Sequence, residues 1–198
     1  RSIVVQKKIS LWNVIEVEVS DNISDPRAES RKIKPESIVD LGVELKTREQ
    51  KRHFLAEHTD ASLDIPNYEK RTCSIIKPDI LDLEIIRRKP EFSQATLYGG
   101  IFKKRPYEDI GLYYTFRCQD PCKVCKSKPH RMECFDWGAN YLFRKYDDEE
   151  VATKKVREMG FTRMKTVNEA WFVMGTHRRW PFLRWLLVGV LWMKRERR

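Results

Sequence analysis

The sequence predicts an α+β fold of short, mostly antiparallel strands with three or four helices. Several segments alternate polar and apolar residues, which is typical of half-buried strands. Other segments carry capping residues that begin helices, and turn-prone stretches separate the two kinds of element. Hydrophobic residues make up 41% of the 198 positions, so the chain is too apolar for a disordered polypeptide and long enough to bury a core.

Residues 1–90 are predicted to form a β-rich α+β unit. Residues 11–19 and 38–45 have the pattern of strands, and residues 72–76 are a further strand candidate. Thr47 and Gln50 have the spacing of a capping box, which predicts that a helix begins there.

A basic linker is predicted at residues 91–106, where a glycine pair is followed by Lys103-Lys104-Arg105-Pro106. The charge balance changes close to this linker. Residues 1–100 hold 17 basic and 17 acidic side chains, whereas residues 101–198 hold 22 basic and 12 acidic ones, so the net charge of +10 lies in the second half. Residues 107–198 are therefore predicted to be a separate basic domain of the kind that binds a polyanion.

The second half has strand and helix signals in alternation. Residues 110–118 are rich in tyrosine and other strand-favouring residues. Asp136 is expected to cap a helix that runs to about residue 145, and a second helix is expected to begin at Asp147-Asp148 and to end at a C-terminal Gly160. Residues 170–174 and 184–192 are predicted to be the last two strands.

A cluster of metal-binding residue types follows the tyrosine-rich strand. Within 17 residues lie Cys118, Cys122, Cys125, His130 and Cys134. Thiolates and imidazoles are the ligands of tetrahedral Zn²⁺, so the cluster predicts a zinc-stapled loop with Zn²⁺ as the cofactor. Two sets of four are possible, one from Cys118 to His130 and one from Cys122 to Cys134, the second being one residue short of a zinc knuckle. The position of Cys118 at a strand end favours Cys118, Cys125 and His130, with Cys122 and Cys134 competing for the fourth place.

Disulfide bonds or a catalytic thiol would also place cysteines and a histidine close together. Disulfides are disfavoured because the chain has five cysteines and no visible signal peptide. A catalytic Cys–His pair is disfavoured because such pairs come from distant parts of a chain.

Basic and aromatic side chains surround the presumed ligands and predict contacts to single-stranded DNA or RNA. The candidates are Lys123, Lys126, Lys128 and Arg131 in the loop, with Arg178, Arg179 and Trp180 further along the chain. Cations neutralise phosphates, and an indole can stack on an unpaired base. Core packing is the equally good alternative for Trp180.

Part of the sequence resembles an uncharacterised prokaryotic protein family. The resemblance rests on Phe116-Arg117-Cys118, Cys125, His130, Asp136-Trp137, residues 172–176 and Pro181. The cysteine loop is longer than in that family, and Gly138 stands where an acidic residue is expected. The resemblance implies an architecture and no activity. Combined with the basic cluster, it predicts an accessory subunit of a prokaryotic nucleic-acid-processing or defence complex.

Two further functions remain open from the sequence. A metal-dependent nuclease or hydrolase would use Glu133, Asp136 or His177 as a base or second ligand, although H-E-x-x-H and P-loop motifs are absent. The second function is that of a protein–protein scaffold in a larger complex.

The apolar runs of the sequence are too short to cross a membrane as a helix. The longest, residues 182–193, is interrupted by Arg184 and is shorter than the roughly 20 residues of a membrane-spanning helix, which predicts a cytoplasmic protein.

Overall fold

The fold is α+β with mostly antiparallel strands, as predicted. The computed structural model describes residues 9–21, 24–25, 27, 29–87, 110–136, 138, 141, 145–146, 148–177 and 180–195, without the side chains of residues 180–183. None of the helices in these ranges is long and apolar enough to cross a membrane.

The first part of the chain forms seven strands and two α-helices among the described residues. The strands are β1 (Asn13–Glu16), β2 (Val19–Asp21), β3 (Arg31–Ile33), β4 (Val39–Glu44), β5 (Thr59–Asp60), β6 (Cys73–Ile76) and β7 (Asp79–Arg87). The helices are α1 (Arg48–Glu57) and α2 (Asp64–Tyr68), and Pro35–Ser37 form one 3-10 turn. The capping box is confirmed, because Thr47 Oγ1 accepts the Gln50 N–H and Gln50 Oε1 accepts the Thr47 N–H.

The second part begins with β8 (Ile110–Arg117), the predicted tyrosine-rich strand. It continues with α3 (Lys123–Ser127), β9 (His130–Glu133), α4 (Glu149–Arg157), α5 (Arg163–Thr166), β10 (Asn168–His177) and β11 (Trp180–Lys194). Asp148 caps α4 by accepting two backbone N–H groups, which confirms the predicted start of that helix. The helix predicted between residues 136 and 145 falls largely outside the described residues.

Gly160 does not end the helix, which corrects the prediction of a C-terminal glycine cap. The chain passes through a π-helical turn, Glu158–Thr162, and continues into α5. The glycine is required by space, since a Cβ at this position would lie 2.9 Å from Tyr114 Oη and 3.1 Å from Leu83 Cδ2. Its carbonyl accepts a 3.0 Å hydrogen bond from the buried Tyr114 hydroxyl.

Strands from both sides of the predicted linker pair with each other. The largest sheet has the order β11-β10-β6-β5, and a three-stranded sheet has the order β7-β8-β9. The main hydrophobic cluster also combines the two parts of the chain, with Ile76 and Leu83 packed among Phe116, Phe172 and Leu187. Residues 91–106 lie outside the described ranges, so the position of the linker stays a prediction.

Candidate metal centre

The centre is built on the loop that joins two neighbouring antiparallel strands. Cys118 follows the end of β8, and His130 is the first residue of β9. Between them Cys122 is the N-cap of α3 and Cys125 lies within that helix. Because Phe116 of β8 pairs directly with His130 of β9, the strand register brings the two ends of the loop together.

Four of the five predicted ligands converge on one point. The sulfurs of Cys118, Cys122 and Cys125 and a ring nitrogen of His130 all lie within 4.8 Å of one another. His130 Nε2 is 3.1 Å from Cys122 Sγ and 3.6 Å from Cys118 Sγ. Tetrahedral zinc with bonds of about 2.0–2.3 Å holds its ligands roughly 3.5–3.8 Å apart, so the four donors need little movement to enclose one ion. All four residues are buried. The group could therefore hold a metal ion.

Backbone N–H groups point at the cysteine sulfurs. Cys118 donates to Cys125 Sγ and Cys125 donates to Cys122 Sγ, both at 3.3 Å. The backbone of Leu63 acts to lower the pKa of the Cys118 thiol. Burial raises the pKa of the Cys118 and Cys122 thiols, while the backbone donors oppose this by stabilising the thiolates. Without a metal, these cysteines are therefore protonated thiols. A bound cation would favour the deprotonated thiolates, which the backbone N–H groups would then stabilise.

His130 is held by its neighbours in the form that binds metals. Its ring stacks on Phe116 with a centroid distance of 5.1 Å. Burial lowers the pKa of His130, and the charge of Asp64 opposes this shift. A lowered pKa keeps the imidazole neutral near pH 7, which is the charge state in which a histidine binds a metal.

The fifth candidate, Cys134, lies outside this group. It follows β9, its N–H donates to the Leu112 carbonyl at 2.7 Å, and it forms an isolated bridge with Leu187. Four residues of extended chain span roughly 13 Å, so a strand cannot bring Cys134 and His130 to the same ion. Burial raises the pKa of Cys134 to about 12, which is the behaviour of a core thiol. All five cysteines of the chain are free of disulfide bonds.

Residues 83–198 match the family model of a domain of unknown function, DUF8757. The chain belongs to the DUF8757 family. This agrees with the resemblance to a family without an assigned activity. The DUF8757 match begins within β7 and contains all four clustered ligands. No curated protein and no solved structure is significantly similar to the chain.

The side chains of the DUF8757 region that are predicted to contact phosphates differ in whether they are exposed and whether other protein groups already engage them. Lys123, Lys126 and Lys128 are exposed. Arg131 is exposed as well, but its guanidinium donates to both carboxylate oxygens of Glu84, at 2.8 and 3.1 Å, and lies 4.5 Å from the Tyr113 ring centroid. Arg178, Arg179 and the side chain of Trp180 are outside the described part of the chain.

The residues considered for catalysis are not in the four-residue group. Asp136 Oδ2 accepts the Val190 N–H at 2.8 Å, and Glu133 accepts the Tyr113 hydroxyl at 3.3 Å. His177 ends β10. The structure thus engages Asp136 with β11.

Sequence reasoning missed the residues that surround the centre from the first part of the chain. Residues 61–64, between β5 and the start of α2, contact the metal-binding loop through backbone and carboxylate hydrogen bonds. No local pattern connects them with cysteines more than fifty residues away. The segment follows β5 of the four-stranded sheet and the loop joins β8 and β9 of the three-stranded sheet, so the packing of the two sheets around a shared hydrophobic cluster brings them together.

Proposed function

We propose that the chain binds one Zn²⁺ through Cys118, Cys122, Cys125 and His130, and that the metal holds a loop that binds single-stranded nucleic acid. The observation that carries the proposal is the convergence of three buried sulfurs and one buried imidazole nitrogen within 4.8 Å. Thiolate-rich sets of four select zinc over harder cations and leave no coordination position for a substrate. The metal therefore has a structural role.

The exposed lysines of the loop support the nucleic-acid part of the proposal. Lys123 and Lys126 are three residues apart on α3, which places them on one face of the helix, and Lys128 is the residue after its end. Among the described residues none of the three forms an ion pair, in contrast to Arg131. Ligation of Cys122 and Cys125 would fix the helix that carries these ammonium groups, so less ordering is needed when they meet phosphates.

The role proposed for the chain is binding, as an accessory subunit of a nucleic-acid-processing complex. The engagement of Asp136 and Glu133 with protein groups supports a role without chemistry. The excess positive charge of residues 101–198 supports a polyanionic ligand over a protein partner.

The test is the salt dependence of binding to a fluorescent single-stranded oligonucleotide. Each phosphate contact on a single strand contributes about −0.7 to the slope of log K against log salt, so three lysines contribute about −2. The Lys123→Gln, Lys126→Gln, Lys128→Gln triple variant should bind more weakly at low salt and lose about two units of slope. Anisotropy titrations at several salt concentrations measure both quantities.

A matched control removes the same charge elsewhere. Lys32, Lys46 and Lys70 are exposed in the first part of the chain, and their triple glutamine variant should keep most of the affinity and the slope. If both triple variants lost affinity and salt slope equally, net charge alone would explain the effect. That result would contradict the proposal that the loop lysines contact the nucleic acid. Cleavage of the oligonucleotide by the wild type would instead favour the hydrolase.

A further inference from the structure

The loop that carries the metal ligands is held by a short segment of the first part of the chain. The Asp120 N–H donates to the Ala61 carbonyl at 2.9 Å. Asp64 Oδ2 accepts the N–H of Lys123 at 2.9 Å. Two hydrogen bonds therefore reach the loop, one after Cys118 and one at the first residue of α3.

This segment is itself anchored firmly. Asp60, at its start, accepts two hydrogen bonds from Arg71, at 2.6 and 3.1 Å, and one from Ser74 Oγ at 2.7 Å. The strand β5 that ends at Asp60 pairs in parallel with β6. Leu63 is 2% exposed and belongs to the same hydrophobic cluster as the ligand cysteines. Because this segment is fixed through both its backbone and its side chains, it can hold the metal-binding loop in a defined position.

We infer that Asp64 is a positioning residue for the metal centre, which raises the affinity for Zn²⁺ by fixing the N-terminus of α3 from outside the DUF8757 match. The inference rests on the zinc site proposed above. By accepting the Lys123 N–H, the carboxylate fixes the first turn of α3, which begins at Cys122 and includes Cys125. Because Lys123 directly follows the ligand Cys122, the negative charge of Asp64 also lies close to the position of a bound dication.

The arrangement differs from a free-standing zinc finger in a testable way. In a free-standing finger the ligands and their supporting hydrogen bonds come from one short stretch of chain. In this chain the carboxylate that holds α3 comes from residue 64 and the carbonyl that holds the loop after Cys118 comes from residue 61, whereas the DUF8757 match begins at residue 83. The affinity of the centre should therefore depend on a residue that the family model does not include.

The experiment measures zinc affinity of the full chain by competition with a chelator of known affinity. Removal of a group that supports a metal ligand typically weakens binding about 10- to 100-fold, which is the result expected for Asp64→Ala. Asp64→Asn keeps an acceptor for the Lys123 N–H and loses the charge, so its affinity should fall between those of the alanine variant and the wild type. The Co²⁺ absorption spectrum should keep the features of three sulfur ligands in both variants, because no ligand has been removed.

Asp21→Asn is the matched control. Asp21 is exposed on β2, in a two-stranded sheet that contains neither β8 nor β9, so the variant loses the same charge away from the metal-binding loop. Its zinc affinity should stay within about threefold of the wild type, since screened surface charges contribute little. Urea unfolding of the metal-free variants adds a readout that separates positioning from general stability. A merely structural role would destabilise the metal-free and metal-bound forms equally and leave the zinc affinity unchanged.

The outcomes are distinguishable. Tight zinc binding by the wild type together with unchanged affinity in Asp64→Ala overturns this inference and leaves the zinc site intact. Equal weakening in Asp64→Asn and Asp21→Asn overturns the positioning role, because net charge alone would then explain the effect. A wild-type chain without affinity for zinc overturns the proposed function and the inference together.

Discussion

The structure predicts opposite consequences for two buried cysteines, Cys122 and Cys134. Both are nearly inaccessible, at 1% and 2% exposure. Cys122 lies 3.1 Å from His130 Nε2, whereas Cys134 packs in the core beside Leu187. Cys134→Ala should therefore cost only packing energy, while Cys122→Ala should cost the metal.

The expected changes in the free energy of unfolding follow from the burial of the Cys134 side chain and from the coupling of metal binding to folding. Removing the Cys134 sulfur loses about 1 kcal/mol of transfer free energy, and the small cavity adds a few tenths more, for a total of about 1–2 kcal/mol. A metal present at about a thousand times its dissociation constant adds about 4 kcal/mol to the free energy of unfolding. Cys122→Ala should lose most of that contribution.

Urea unfolding with and without a zinc chelator measures both effects. For Cys134→Ala the free energy of unfolding should fall equally in the two conditions, so the difference due to the chelator stays at its wild-type value. For Cys122→Ala the chelator should change little. A chelator effect that disappears in Cys134→Ala and survives in Cys122→Ala would show that Cys134 completes the set with Cys118, Cys125 and His130, and would refute the geometry.

Three further predictions concern pH, packing and capping. Burial raises the pKa of the Cys118 and Cys122 thiols, so zinc must displace two protons when it binds the metal-free chain. The zinc affinity should therefore rise by up to about a hundredfold per pH unit below those pKa values. Chelator competition at several pH values measures this dependence, and a flat profile would contradict it. Gly160→Ala should cost about 1–3 kcal/mol of unfolding free energy through its 2.9 Å contact with Tyr114, whereas Gly175→Ala, whose Cβ meets only ordinary contacts from 3.5 Å, should change it by less than about 0.5 kcal/mol. Thr47→Ala should cost about 1 kcal/mol, and an unchanged urea midpoint would contradict the capping box.

Elements with strong local signals could be predicted from the sequence. The tyrosine-rich β8 and the final pair β10 and β11 have runs of strand-favouring residues, and α1 and α4 have capping side chains at their first turns. These signals are local because the physical causes, side-chain alternation and orphan backbone N–H groups, act within a few residues.

The composition of the metal centre could be predicted only in part. Cysteine and histidine spacing identifies the loop, but the choice between Cys122 and Cys134 depends on His130 beginning a strand, which carries Cys134 away from the other ligands. The prediction for Gly160 is wrong because a helix-ending glycine and a glycine required by a neighbouring ring have the same sequence signal. The contribution of Asp64 has no sequence signal, since it depends on the packing of strands far apart in the chain.

The central claim is that one zinc ion is held by Cys118, Cys122, Cys125 and His130. Elemental analysis of the chain, purified under reducing conditions without added metal, tests it most directly. We expect one zinc per chain in the wild type and none in Cys118→Ser. A reduced wild-type chain without metal, or a Cys118→Ser variant with its full zinc content, would contradict the account.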